Sequence, residues 1–222
     1  MRSGRKTIVI TGASSGVGLA LCHHFEKIGW HVIGIARDVR SVKIGNAALI
    51  SANVGGWFLD SIKYHTKKID VLVNNAGLFE SAPLGKTSHS SIYNIIHTNL
   101  FGTITTTRQC LRLMKSGARI INIGSVAGTH GIKNQSVYCA SKYGVNGFFE
   151  ALQHELLPKK ILLTNINPGG INTPLWSKHK YNGDLKRLLK TSDIVSLVDY
   201  ICTLPKHVVF KNATLYPTNE NH

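Results

Sequence analysis

Seven short runs of aliphatic and β-branched residues punctuate this chain: 7–10 (TIVI), 31–36 (HVIGIA), 47–51 (AALIS), 70–74 (DVLVN), 118–124 (ARIINIG), 161–166 (ILLTNI) and 213–216 (ATLY). They are continuous apolar runs rather than alternating ones, the pattern of strands buried on both faces of a parallel sheet. Between them lie helix-patterned segments at roughly 16–28, 57–67, 88–114, 136–157 and 192–203. The last opens on Ser192 as cap and Asp193 as first-turn acid. This alternation predicts an α/β fold, a Rossmann-like doubly wound parallel sheet of about seven strands. Only residues 37–46 (RDVRSVKIGN) separate the second strand from the third. That is near the minimum for a crossover, so this link is expected to have lost most or all of its helix. No repeat, low-complexity tract or composition shift interrupts the 222 residues, which predicts a single domain over 1–222.

Composition removes several functional classes. No apolar stretch approaches the roughly 18 to 20 residues that span a bilayer, and the apolar run after MRSGRK is too short for a signal peptide. Cys22, Cys110, Cys139 and Cys202 show no CxxC spacing and read as free thiols of a reducing, cytoplasmic setting. Eleven histidines form no HxxxH or HExxH pattern, so no metal site is expected. The 26 Lys and Arg against 11 Asp and Glu give a net charge of +15. The lysines run from Lys6 to Lys211 without a basic block or interleaved aromatics, which favours a solvated surface over a nucleic-acid partner.

The stretch TGASSGVG, residues 11–18, follows directly on the first strand. In a strand-turn-helix context, Gly12, Gly16 and Gly18 can supply a tight turn, a close backbone approach to a pyrophosphate, and close packing of helix on strand. The helix start then aims unpaired N–H groups at an anion, and no acidic side chain is present to repel it.

With its TGxxxGxG spacing the sequence resembles the short-chain dehydrogenase/reductase family. Further marks follow in order: NNAG at 74–77, Asn99 within HTNLFG, Ser125 after INIG, YCASK at 138–142 and PGGINT at 168–173. The resemblance covers nearly the whole chain and implies a catalytic set of Asn99, Ser125, Tyr138 and Lys142. Ser125 is expected to donate to the substrate oxygen, Lys142 to hold the nicotinamide ribose, and Asn99 to support a water relay to that lysine. It also implies cofactor contacts from Ser14, Ser15 and Val17 between the glycines, from Asn74, Ala76 and Gly77, and from Pro168, Gly169, Ile171 and Thr173.

The residues agree with that chemistry. Tyr138 and Lys142 are four apart on a predicted helix and share a face. An ammonium about 5 Å away would favour the phenolate by about 3 kcal/mol, bringing Tyr138 into use as a general acid/base near neutral pH. A hydroxyl at Ser125 is a preorganised stabiliser of a developing alkoxide.

At the end of the second strand stand Ala36 and Arg37, where a carboxylate would select NAD. The pair favours NADP(H) over NAD(H), with Arg37 on the 2'-phosphate and Asp38 as a complication that could neutralise it. Asn53-Val54 replaces the Asp-Val common in the family, its amide oxygen still able to accept from adenine. The substrate loop is expected at about 168–191, with Leu175 and Trp176 giving apolar contact and the charges of KHKYNGDLKRLLK forming a solvated face. Val145, Phe148, Phe149 and Leu152 exceed what one core face needs, and related proteins pair through this helix, so a homodimer or homotetramer is expected. The expected activity is NADPH-dependent reduction of a small carbonyl, or oxidation of an alcohol. The alternative is a non-catalytic NADP(H)-binding sensor or scaffold with a basic anion-binding surface.

Overall fold

The computed structural model describes residues 4–175 and 184–218. Seven strands form one sheet: β1 (Thr7–Thr11), β2 (His31–Ala36), β3 (Ala48–Ser51), β4 (Ile69–Asn74), β5 (Met114–Ile123), β6 (Leu162–Pro168) and β7 (Asn212–Leu215). Their spatial order is β3-β2-β1-β4-β5-β6-β7 and every pairing is parallel. The order reverses between β1 and β4, and a parallel sheet opens its ligand crevice at such a reversal, beyond the strand C-termini.

Alternate residues of each strand enter opposite layers. Ile8, Ile10, Val73 and Ile121 pack with Leu21 and Phe25 of α1 (Gly16–Lys27) and with Ile194 and Val198 of α6 (Thr191–Thr203). Val9, Leu72 and Ile120 face the other way. They meet Ile62 of α2 (Leu59–His65), Cys110 of α4 (Gly102–Cys110), and Phe149 and Leu152 of α5 (Ser136–Leu156). All seven residues of β6 are buried, the polar Thr164, Asn165 and Asn167 included, as a strand covered on both faces requires. Residues 37–47, between β2 and β3, carry no helix.

Several boundaries differ from the sequence reading. The helix expected over 88–114 is α3 (His89–Ile96), a π-turn over His97–Phe101 and then α4, which stops at Cys110. β5 already starts at Met114, its first residues pairing with Ile69 across a register shift before the main ladder resumes at Val71. Gly117, at φ +87°, supplies the backbone that the irregularity needs. Helix α6 is capped two residues earlier than expected, at Lys190, with Asp193 Oδ2 accepting from the Lys190 amide at 2.8 Å and Ser192 inside the helix. The apolar surplus expected on α5 is absorbed by the subunit: Val145, Phe149 and Leu152 are core residues and Phe148 packs against them. All four thiols are buried.

Candidate active site

A cleft of about 510 Å³ runs along the C-terminal rim of the sheet, lined by residues that follow each of β1 to β6. Under β1 its floor is a backbone cradle. Gly12 and Gly16 adopt φ of +70° and +54°. A Cβ on Gly12 would stand 2.7 Å from Asn75 Nδ2 and 3.0 Å from Ala76 Cα. One on Gly18 would collide with the Gly12 carbonyl, so α1 lies directly against the turn. Ser15 precedes α1 without a side-chain cap bond, and the first turn holds no acid. The open N–H groups therefore point into the cleft beside Ser14, Ser15, Gly16 and Val17.

Thr11 and Asn75 brace this cradle across the strand reversal. Thr11 Oγ1 accepts from the amides of Asn75 at 3.0 Å and Ala76 at 3.1 Å. Asn75 Nδ2 donates back to the Thr11 carbonyl at 2.9 Å. Its neighbour Asn74, expected in the cleft, lies behind it, donating to Thr107 Oγ1 of α4 at 2.9 Å. Successive side chains of a strand alternate across the sheet, so only one of two adjacent asparagines can face the ligand side.

At the β2 end Ala36 and Arg37 line the cleft, with Asn53 and Val54 from the end of β3. Asp38 does not pair with Arg37. Arg40 holds it in a bidentate grip, Nε to Oδ1 at 3.0 Å and Nη2 to Oδ2 at 2.7 Å, which keeps the carboxyl below the usual carboxylate range. Asn53 Oδ1 accepts from the Gly55 amide at 3.2 Å, so the amide oxygen offered for adenine already carries one bond.

Ser125, Tyr138 and Lys142 meet at the other end. Ser125 sits where β5 gives way to a 3₁₀ turn, its hydroxyl accepts from the Ala127 amide at 3.1 Å, and it shares the cleft lining with Tyr138. Lys142 Nζ donates to the Ile123 carbonyl at 3.3 Å. The phenol is pushed up to about 12 by burial, against a lowering by Ser125. Burial likewise pushes the Lys142 amine down to about 8. The expected lowering of Tyr138 by its lysine is therefore overturned. Burial disfavours the ammonium and the phenolate alike, and for the phenol it outweighs the lowering by Ser125.

Asn99 lies off the cleft lining, in the π-turn, with its side chain fully engaged. Its Oδ1 accepts from the Leu78 amide at 2.7 Å, and Nδ2 donates to the Leu78 carbonyl at 2.9 Å and to Ser141 Oγ at 3.0 Å. It fixes the chain leaving β4, next to Gly77, where a Cβ would stand 3.5 Å from Asn99 Oδ1 and 3.9 Å from Lys142 Nζ.

Pro168, Gly169, Ile171, Thr173 and Leu175 close the cleft from the β6 side. Residues 184–190 return to this segment, the Asn172 amide donating to the Leu189 carbonyl at 2.7 Å and placing Leu188 in the wall. Trp176 falls outside the described residues. Phe79, Ile132 and Gln135 also line this end, Phe79 edge-on to Tyr138 with centroids 5.0 Å apart. No local signal marked these three, because only the tertiary fold brings them beside Tyr138.

A phosphate-sized cradle of positive-φ glycines, an unshielded helix start and a hydroxyl-phenol-amine cluster on the same rim suit a nicotinamide dinucleotide. Fold and site together define a dinucleotide-binding oxidoreductase of the α/β class. The chain belongs to the short-chain dehydrogenase/reductase family of NAD(P)-dependent enzymes: the short chain dehydrogenase sequence profile matches residues 6–182.

Among its relatives, the human 3-oxoacyl-[acyl-carrier-protein] reductase is 30% identical over 218 residues, covering 90% of this chain and 92% of that protein. Serine 3-dehydrogenase of Rhizobium radiobacter is 30% identical over 238 residues, covering 97% and 95%. The closed form of a serine dehydrogenase complexed with NADP+ superposes with a TM-score of 0.86 at 26% identity, covering 97% of this chain and 96% of that one. Among the described residues no helix is long and apolar enough to cross a membrane.

Proposed function

We propose that the chain is an NADPH-dependent carbonyl reductase, running in reverse as an alcohol dehydrogenase on small molecules, with Tyr138 as its general acid/base. The observation that carries this reading is the convergence of Ser125, Tyr138 and Lys142 on one end of a cleft whose far end is the glycine cradle. The nicotinamide supplies the hydride when bound. The chain's own residues hold a neutral phenol beside the reacting oxygen, ready to deliver a proton at neutral pH. Ser125 donates to the same oxygen as charge develops on it. Lys142, anchored on the Ile123 carbonyl, presents its remaining protons to the ribose and to the phenol.

The preference for NADPH rests on Arg37. With Asp38 committed to Arg40, the guanidinium on the cleft wall can meet a 2'-phosphate without a competing carboxylate. The cofactor-binding relative complexed with NADP+ supports the same choice.

Around Tyr138 the described wall is largely apolar, with Phe79, Ile132, Leu175 and Leu188 beside the side-chain amide of Gln135. We take the whole chain as one catalytic domain with its substrate loop at about 168–191. Exposed Tyr93 and Phe101, with Tyr143 on the adjoining α5, offer the contact for a second copy. The sensor or scaffold reading is not favoured, since a site that only senses cofactor needs no proton donor in its cleft.

The test is NADPH oxidation across a panel of aldehydes and ketones. Tyr138→Phe should lower kcat by about 10²- to 10⁴-fold while NADPH still binds by fluorescence titration. Turnover retained in that variant would end the assignment.

A further inference from the structure

Three side-chain amides join the two ends of the segment that carries Ser125. Asn122, on β5 three residues before it, donates from Nδ2 to Asn165 Oδ1 of β6 at 2.6 Å. Asn165 Nδ2 donates to Asn146 Oδ1 of α5 at 2.6 Å. Asn146 Nδ2 donates to the carbonyl of Gly128, three residues after Ser125, at 2.9 Å. Gly128 O can only accept, which fixes the sense of the whole chain: each amide must turn its NH₂ toward the next oxygen. Asn122 and Asn165 are 2% and 6% exposed, so a broken link leaves a buried polar group without water to replace it.

The chain closes a loop around Ser125. Inside that loop the Ala127 amide donates to Ser125 Oγ at 3.1 Å and the Gly128 amide to the Ser125 carbonyl at 2.9 Å. Gly128 is pressed on α5 where a Cβ would stand 2.8 Å from Asn146 Nδ2 and 3.0 Å from the Lys142 carbonyl. A side chain on α5 one turn past Lys142 therefore sets how the Ser125 turn sits against the helix bearing Tyr138 and Lys142.

We propose that Asn146 and Asn165 are positioning residues: through Asn122 at one end and Gly128 at the other, they hold Ser125 in register with Tyr138. This rests on the reductase reading for its catalytic consequence, and on geometry alone for the clamp.

Two measurements on the full chain separate the two. The first is amide hydrogen exchange by mass spectrometry over residues 125–129, which needs no activity. Asn146→Leu and Asn165→Val should speed exchange there by about 10-fold or more, with the β1–α1 turn unchanged. The second is steady-state kinetics. The same variants should lose kcat by about 10- to 100-fold while the NADPH dissociation constant stays within about two-fold, as expected when a reacting group is misplaced but binding is not.

Thr164→Val, which removes a bond from β6 to the Phe210 carbonyl outside the chain of amides, is the control for general loosening. It should move neither readout. If Asn165→Val does not fold, Asn165→Thr takes its place with the same expectations.

Unchanged exchange at 125–129 in Asn146→Leu overturns the clamp. A kcat loss matched by an equal loss of NADPH affinity overturns the positioning role. A wild type inactive on every carbonyl tested ends the reductase reading, while the exchange experiment still decides the clamp.

Discussion

Lys142 Nζ stands 5.7 Å from the centre of the Tyr138 ring, yet its hydrogen bond goes to the carbonyl of Ile123. An ammonium held by one backbone oxygen in a buried site is poorly compensated for the water it has lost, which is why its proton is released near 8 rather than at the ordinary 10.5.

That displacement has a sign in stability. Between about pH 8 and 10.5 the unfolded chain keeps a proton on this amine that the folded chain has released, so stability rises with pH across the window. Below it the buried charge opposes folding by up to about 3 kcal/mol. Lys142→Met should therefore melt at a higher temperature than the wild type at pH 7, with the advantage shrinking toward pH 10. Turnover should be lost at both. Thermal melts at the two pH values check it, and a variant less stable at pH 7 would contradict it.

Arg40 is not among the residues that line the cleft, but it holds the carboxylate that follows Arg37 in the chain. If Arg37 meets a 2'-phosphate as proposed, Arg40→Ala should free the Asp38 carboxylate beside it and weaken NADPH by about 10-fold, with NADH changed far less. Asp38→Ala should leave NADPH affinity close to that of the wild type. Fluorescence titration of both cofactors against the two variants measures this directly.

Gly18 tests the cradle through packing. It lies in α1, where a side chain would be tolerated on propensity grounds, but a Cβ would strike the Gly12 carbonyl. Gly18→Ala should cost about 1–3 kcal/mol of stability by denaturant titration. It should also weaken both cofactors together, because the helix start moves away from the phosphates.

The two asparagines at the end of β4 give a contrasting pair. Asn75→Ala removes the tie to the Thr11 carbonyl and should weaken cofactor binding. Asn74→Ala breaks only the buried bond to Thr107 and should cost about 1–2 kcal/mol of stability with the cofactor dissociation constant unchanged.

That pair also marks how far the sequence could be read. The seven strands and the glycine turn were legible because period and backbone permissiveness are local properties. The meeting of Ser125, Tyr138 and Lys142 was legible because two of them share a helix face. Which asparagine faced the ligand was not, since strand phase at an element's last residue depends on its partners. The start of β5 was hidden inside a helical pattern because its early pairing with Ile69 is a tertiary contact. Phe79 and Gln135 reach the cleft through loops whose paths are set by residues far away, Asn99 holding the first of them at Leu78. The protonation of Tyr138 was misjudged because charge was counted without the loss of solvent.

The thiols of Cys22, Cys110 and Cys202 are buried and their protons are held up to about 12, so in the native state they have almost no thiolate to offer a reagent. Alkylation of those three in native buffer then counts how often the molecule opens. Its rate as denaturant rises is a clock for unfolding built into the core, one that needs no label and no knowledge of the substrate.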